Sequence, residues 1–338
     1  MTGTRNGRPS ERAQAFPFPF SHDTYRYSAN VEPGRTPTLT TAGSWGERTI
    51  DVDPAYRMEV AVREEILARD PTRYSAFPHM KAAQWDALLY IMKDLAESDP
   101  EHFSLIREGD AWTWRNVLLG ITQTFTYGDD GTLPCDPLEF IGRQVQEDLV
   151  LLDEREGELH IDALFVTFSS SWSPTFVAGM TFLEMHGQVP VAMADGMIAR
   201  SEAFIMRLQP NEVYRRLSWG LQHGDRLDVS LDSYPEWIPA KSDYLAAPYD
   251  VGQVVHLRVE VQSLIRLPVS GSILFTIHSY LLPVAELLEV EGWAERTANV
   301  LEELPPELAN YKGLSVIGPV TSRWLRDQLA SMTTTPTH

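Results

Sequence analysis

The segment from Val254 to Tyr280 constrains the fold more than any other: VVHLRVEVQSLIRL, a PVSG turn, then SILFTIHSY. Two apolar-rich runs of this length around a Pro/Gly turn specify an antiparallel hairpin. Along its first strand Val255, Leu257, Val259 and Val261 share one face, and His256, Arg258, Glu260, Gln262 and Arg266 share the other. Such a polar face has two readings. Either it lies in water, as is ordinary for a half-exposed antiparallel sheet, or it covers a polar cavity lined by Arg258 and Glu260. Periodicity leaves both open.

A second stretch, Leu164 to Pro190, carries a candidate ligand. An apolar run from Leu159 to Phe168 predicts a buried strand that breaks on Ser169, Ser170 and Ser171 before Trp172 and Pro174. Ser173 as N-cap and Pro174 at the first helical position then predict a helix running to His186, with Gly187 ending it and Pro190 preventing its return. Phe176, Gly179, Met180, Phe182, Leu183 and His186 recur at helical spacing, so His186 projects from the last turn toward an apolar space, and Gly179 leaves room for a flat group. A helical histidine so placed suits a haem iron. The alternative is a core histidine bonded to a backbone carbonyl.

Composition narrows the classes. The net charge of −19, from 28 basic and 47 acidic residues, argues against nucleic acid and anionic membranes as partners. It fits an enzyme or a subunit that docks a basic partner. Neither a membrane-length apolar run nor the hydrophobic core of a signal peptide is visible, so the expected location is cytoplasmic. The single cysteine, Cys135, excludes an internal disulfide and an iron–sulfur cluster held on this chain's cysteines alone; it reads as structural. P-loop, Rossmann fingerprint, nucleophile elbow and HExxH motifs are all missing.

The remaining chain predicts an N-terminal arm over residues 1–45, whose FPFPF at 16–20 packs on a neighbouring surface. Helices follow over 54–69 and 81–96, then a hairpin over 103–114 turning on Glu108, Gly109 and Asp110. His79, between the helices, reads as solvated. The stretch 116–127 is ambiguous. Asp136 and Pro137 predict a helix to about Asp153, and further patterns give a helix over 193–208 and a strand over 213–222 carrying Arg215, Arg216 and Trp219. Residues 223–250 form a long loop of the kind used as a lid or partner contact. From Val284 the chain is helical, interrupted by Pro305 and Pro306.

Taken together, SSSWSP, a helix ending MHGQVP, RRLSWGL, and the hairpin LRVEVQSLIRLPVSGSILFTIHSY resemble the haem-binding α subunit of haem-dependent oxidative N-demethylase and its fungal relatives. The order of motifs is kept over about residues 50–285. The resemblance implies an α+β, PAS-like antiparallel sheet with flanking helices around a non-covalent haem b. It places the arm at 1–45, the catalytic domain at 46–285 and a helical extension at 286–338. It implies oxidation of a small secondary methylamine such as dimethylamine by O2, with release of formaldehyde. Electrons come from an NADPH-dependent reductase subunit carrying FMN and a 2Fe-2S cluster, and a tetrahydrofolate-binding subunit captures the product.

Carried over by position, His186 is the metal ligand, and Trp172, Arg216, Trp219, Gln262, Arg266 and Tyr280 contact the cofactor. Arg258 polarises O2 on the side opposite His186, and Glu260 balances charge or moves a proton. Departures from the family pattern are Ser171 for Gly, Ser218 for Asn, Val261 for Arg, Gly187-Gln188 after the histidine, and His278 at a position where relatives carry Arg or Lys. Two rival functions remain at this point: a haem-based gas sensor without turnover, and an accessory subunit that binds an apolar ligand without metal.

Overall fold

In a computed structural model, residues 9–187, 189, 190 and 195–334 are described. The N-terminal arm contributes α1 (Glu11–Ala15) and three two-residue strands, β1 (Glu32–Pro33), β2 (Thr38–Leu39) and β3 (Ser44–Trp45). Next come α2 (Tyr56–Arg69), β4 (Tyr74–Ala76) and α3 (Lys81–Ser98). A small three-stranded antiparallel sheet follows, of β5 (Phe103–Glu108), β6 (Ala111–Asn116) and β7 (Ile121–Thr126), which resolves the ambiguous stretch as strand. Its first turn places Gly109 at a φ of 64°, the left-handed conformation that such a hairpin demands.

After α4 (Pro137–Gly142) the chain enters the main sheet through β8 (Asp148–Arg155) and β9 (Glu158–Phe165). The expected helix to Asp153 is therefore corrected: only its first turns are helical. Leu149, Val150, Leu151 and Leu152 are all buried, because β8 is covered on both faces, so the run shows no alternation and mimics a core helix.

The two short helices α5 (Pro174–Val177) and α6 (Phe182–His186) replace the single helix expected over 174–186. The Ser173 hydroxyl does cap α5, accepting from the Phe176 N–H. But Gly179 has a φ of 84° and its N–H donates to the Ile161 carbonyl, so the chain breaks to lie beside β9 before Thr181 caps α6. Gly179 is thus a backbone hinge, whose missing Cβ would sit 3.2 Å from the Phe77 ring, and is no recess on a helix face.

Then come α7 (Met197–Ile205) and β10 (Val213–His223). Residues 193 and 194 of the helix expected there lie outside the described residues. The expected long loop contains α8 (Tyr234–Ala246), disguised in sequence by Pro235 and Pro239. The hairpin forms as read, β11 (Val255–Arg266) and β12 (Ile273–Pro283), preceded by the single turn α9 (Val251–Val254). The chain closes with α10 (Trp293–Glu303), α11 (Pro306–Tyr311) and α12 (Ile317–Thr334).

The main sheet is seven-stranded and antiparallel, in the order β1-β10-β11-β12-β8-β9-β4. Its two faces have different covers. Val255, Leu257 and Val259 pack with the arm residues Phe16 and Phe20 and with Trp293, Val300 and Leu325 of the C-terminal helices. The arm is anchored by Phe18, whose ring stacks on Trp293 at 4.4 Å. On the opposite face Val150, Leu164, Leu264 and Ile273 meet Val177, Ile205, Trp172, Phe182 and Met185. The result is an α+β fold, an antiparallel sheet flanked by helices, and the segment carrying His186 lies over the second face.

Candidate functional site

Register decides which side chains share a face. Arg216, Gln262 and Ile277 are opposite one another across β10, β11 and β12, as are Ser218, Glu260 and Ser279, and Gly220, Arg258 and Leu281. The polar rows belong to the face covered by α5, α6 and α7. That face is largely withdrawn from water: the residue exposure of Arg258 is 3% and of Gln262 is 8%. The solvated reading of the hairpin's polar side is thereby excluded.

A chain of hydrogen bonds runs along this face. Arg216 donates to Gln262 Oε1 at 2.9 Å, Gln262 donates to Glu260 Oε2 at 3.0 Å, and Arg258 Nε donates to Glu260 Oε1 at 3.3 Å. Arg258 has nothing left to offer. Its Nη1 donates to the Leu227 carbonyl and to Gln222, and its Nη2 to the Phe168 carbonyl and the Ser279 hydroxyl. With Nε on Glu260, all five guanidinium N–H groups have protein acceptors. In this arrangement Arg258 ties β11 to β12, to Gln222 of β10 and to the loops after β9 and β10.

His186 ends α6, held by a reciprocal cap in which Thr181 Oγ accepts from the Glu184 N–H and the Glu184 carboxylate accepts from the Thr181 N–H. Its Nδ1 lies 2.8 Å from the Phe182 carbonyl, and its ring packs on that of Phe182 at 4.2 Å. A carbonyl can only accept, so Nδ1 carries the proton and Nε2 presents its lone pair. Nε2 has no hydrogen-bond partner among the described residues. Burial pushes the imidazole pKa down, the Phe182 carbonyl offsets part of this, and the charge of Arg216 lowers it further. A neutral, oriented imidazole with a bare nitrogen is the donor that an iron porphyrin requires.

Gly220 sits in the interior of β10, and a Cβ built there would meet no atom within 4 Å. Trp172 joins the apolar cluster that includes Phe182 and Met185, on the same side. Ser171 has a φ of 62°, which explains why a glycine suits that position better.

The model of one protein family, haem-dependent oxidative N-demethylase, alpha subunit-like, matches residues 41–322. The chain belongs to that family. In this demethylase-like chain the structure brings His186, Trp172, Arg216, Gln262, Glu260 and Arg258 to one side of the sheet. It does not bring Trp219 and Tyr280 there, and it leaves Arg266 on that face but at the distant end of β11. Trp219 and Tyr280 pair with Val259 across the register and so point to the opposite face. Arg266 binds the Gly271 and Met206 carbonyls and Glu154 through its two terminal nitrogens, while its buried Nε has no hydrogen-bond partner among the described residues.

Tyr280 belongs to a separate buried cluster. Its hydroxyl donates to Asp51 at 2.8 Å, its ring stacks on His278 at 4.3 Å, and His278 Nδ1 meets Glu147 Oε1 at 3.2 Å beside a cavity of about 20 Å³. Burial alone would push the His278 imidazole down, but Glu147, with Glu59 and Asp51 beyond it, reverses the effect and takes its pKa to about 9. This folded value lies above the unfolded one of about 6.5. The resulting stability is therefore complete below about pH 6.5 and is lost as pH rises through 9, an effect on the order of 3 kcal/mol. Urea denaturation at pH 6, 8 and 10 should show this loss, and His278→Gln should flatten it.

Elsewhere, His79, Asp153 and Asp162 are the described residues grouped closely enough to hold a metal ion. Arg155 bridges both carboxylates and offsets one of their two negative charges. His79, expected to be solvated, is half exposed and bonds Asp162 at 2.9 Å. Cys135 is half-buried, and burial pushes its thiol up to about 11, the behaviour of a structural cysteine. No helix among the described residues is long and apolar enough to cross a membrane. Sequence reasoning missed Gly220, although a glycine inside a strand is itself a sign of close approach by another group.

Proposed function

We propose that this chain is the haem-binding subunit of an oxidative N-demethylase acting on a small secondary methylamine of the dimethylamine type. The observation that carries this reading is His186, with its proton fixed on Nδ1 by the Phe182 carbonyl and Nε2 unpartnered beside Arg216 and the open space at Gly220. His186 would hold the haem iron through Nε2. Trp172 and Phe182 would wall the group on its apolar side, and the sheet face would floor it in a PAS-like arrangement. When bound, the haem supplies the capacity to activate O2 with electrons delivered from outside the chain.

The chain's own residues do the rest. A methylamine is cationic near neutral pH, so its site needs an acceptor in a place largely closed to water. Glu260 is a half-buried carboxylate at the centre of the polar face, and each of its oxygens accepts one hydrogen bond here. A carboxylate oxygen has two lone-pair sites, so Glu260 retains capacity for an ammonium proton. In this account Arg258 and Gln262 aim Glu260 at the substrate, and Glu260→Gln raises the Michaelis constant for the amine more than it lowers turnover. The electron donor would be a separate FMN and 2Fe-2S reductase, steered by the acidic surface, and a tetrahydrofolate-binding subunit would receive formaldehyde.

Gly220 gives a direct test. Gly220→Leu adds bulk where the fold has space, so the variant should unfold like the parent while its haem content falls about tenfold or more. Unchanged haem content would place the cofactor elsewhere. Formaldehyde release from dimethylamine, dependent on O2 and on an added reductase, tests the reaction itself; a haem-loaded chain that turns over no methylamine would leave a binding module instead.

A further inference from the structure

Lys312 was invisible as a functional residue in the sequence. It ends α11, where Gly313 takes a φ of 68° and turns the chain back, with the Leu314 N–H bonded to the Ala309 carbonyl. The lysine side chain is thereby carried to the edge of β10. Its Nζ donates to the Trp219 carbonyl at 2.9 Å and lies 4.9 Å from the centre of the Trp219 ring. Trp219, which the motif singled out, therefore seats this ammonium. Burial, helped by the charge of Arg216 and partly offset by Glu260, pushes the Lys312 pKa down to about 8. The same burial lowers Arg216, with Glu260 pulling against it.

The charges around Glu260 do not balance. Arg216, Arg258 and Lys312 supply three positive charges against the single negative charge of Glu260, leaving two positive. Arg258 has spent all its donors. Arg216 has given Nε to the Ala29 carbonyl and Nη1 to Gln262, and its Nη2 has no hydrogen-bond partner among the described residues. Lys312 has no carboxylate partner among the described residues. Cations withdrawn from water are costly unless paired, and this chain has a surplus of carboxylates with which to pair them. Leaving both short of an anion, at the edge of β10 and close to Glu260, is the arrangement of a site that receives a dianion.

We propose that Lys312 and Arg216 form a carboxylate clamp at the open edge of the sheet, holding the two propionates of haem and so making the C-terminal segment part of the cofactor site. This rests on the haem reading above. Haem b carries two carboxylates on one edge and is otherwise apolar, which matches an apolar wall at Trp172 and Phe182 and a doubly positive rim. The clamp neutralises the local charge, and Glu260 then stands free to meet a cationic amine.

The test measures haem loss from the loaded full chain to excess apomyoglobin. Lys312→Met should release haem about tenfold faster than wild type, the value of one charge-assisted contact, and Lys312→Arg should restore the parent rate. With the dimethyl ester of haem, which lacks the carboxylates, wild type and Lys312→Met should release at the same rate. Arg216→Met serves as the second variant and should behave as Lys312→Met does. Equal release of haem from wild type and both methionine variants overturns the clamp while leaving haem binding intact. Faster release that persists with the ester shows loss of packing and also overturns it. Competition of wild type by inorganic phosphate, with no difference between haem and its ester, would show a general anion site and reject the propionates as its occupant. A wild-type chain that takes up no haem at all fails the underlying reading as well.

Discussion

Replacing His186 with alanine is expected to strip the chain of haem while leaving it folded. Among the described residues the His186 side chain makes one hydrogen bond, to the Phe182 carbonyl in its own turn, and the α6 cap does not involve that side chain. Unfolding free energy should change by less than about 1 kcal/mol. Loss of the axial nitrogen should weaken haem retention by roughly a hundredfold or more, since even disturbing a ligand's orienting partner costs ten- to a hundredfold. Imidazole added to the variant should restore a Soret band. A variant that binds haem with an unaltered spectrum, while His160→Ala or His278→Ala does not, would move the ligand assignment. His278 is a poor alternative on structural grounds, because it lies on the other face of the sheet, tied to Glu147.

The second large effect concerns stability. Arg258→Ala is expected to cost about 3–5 kcal/mol, the range for removing one partner of a buried charged network. The loss leaves the Phe168 and Leu227 carbonyls, Gln222 and Ser279 short of a donor and removes the guanidinium hydrogen-bonded to Glu260 Oε1, in a site nearly closed to water. Arg258→Lys should recover little, because a lysine ammonium has three donors and no planar fork. Thermal melts of the apo chain measure this without reference to activity. Near-parental stability in Arg258→Ala, combined with lost turnover, would return Arg258 to the donor role that the sequence suggested.

Arg258 shows where sequence reading stops. The hairpin was legible because both strands are long and end at a Pro/Gly turn, and its alternation assigned Arg258, Glu260 and Gln262 to one face correctly. Alternation cannot show what the far side of the loops supplies. The carbonyls that consume Arg258 come from Phe168 and Leu227, distant in sequence and placed by tertiary packing. Trp219 and Tyr280 fall on the opposite face from Glu260, a separation that depends on strand register and that the order of motifs does not show. β8 was mistaken for helix because a strand buried on both faces carries no period-two signal. The break at Gly179 was hidden for a different reason: the apolar spacing through 174–186 is helical, but pairing of Gly179 and Met180 with Ile161 of β9 overrides it. Lys312 had no local signal at all, since its role depends on where α11 ends against β10.

The most direct test of the central claim is the absorption spectrum of the purified chain, produced with haem in supply and quantified as the pyridine haemochrome. The account predicts a Soret band with about one haem per chain. The haem should be extractable by acid acetone because no C-x-x-C-H attachment motif is present, and should be lost in His186→Ala. A folded wild-type chain that shows no Soret band and takes up no haem on titration would contradict it.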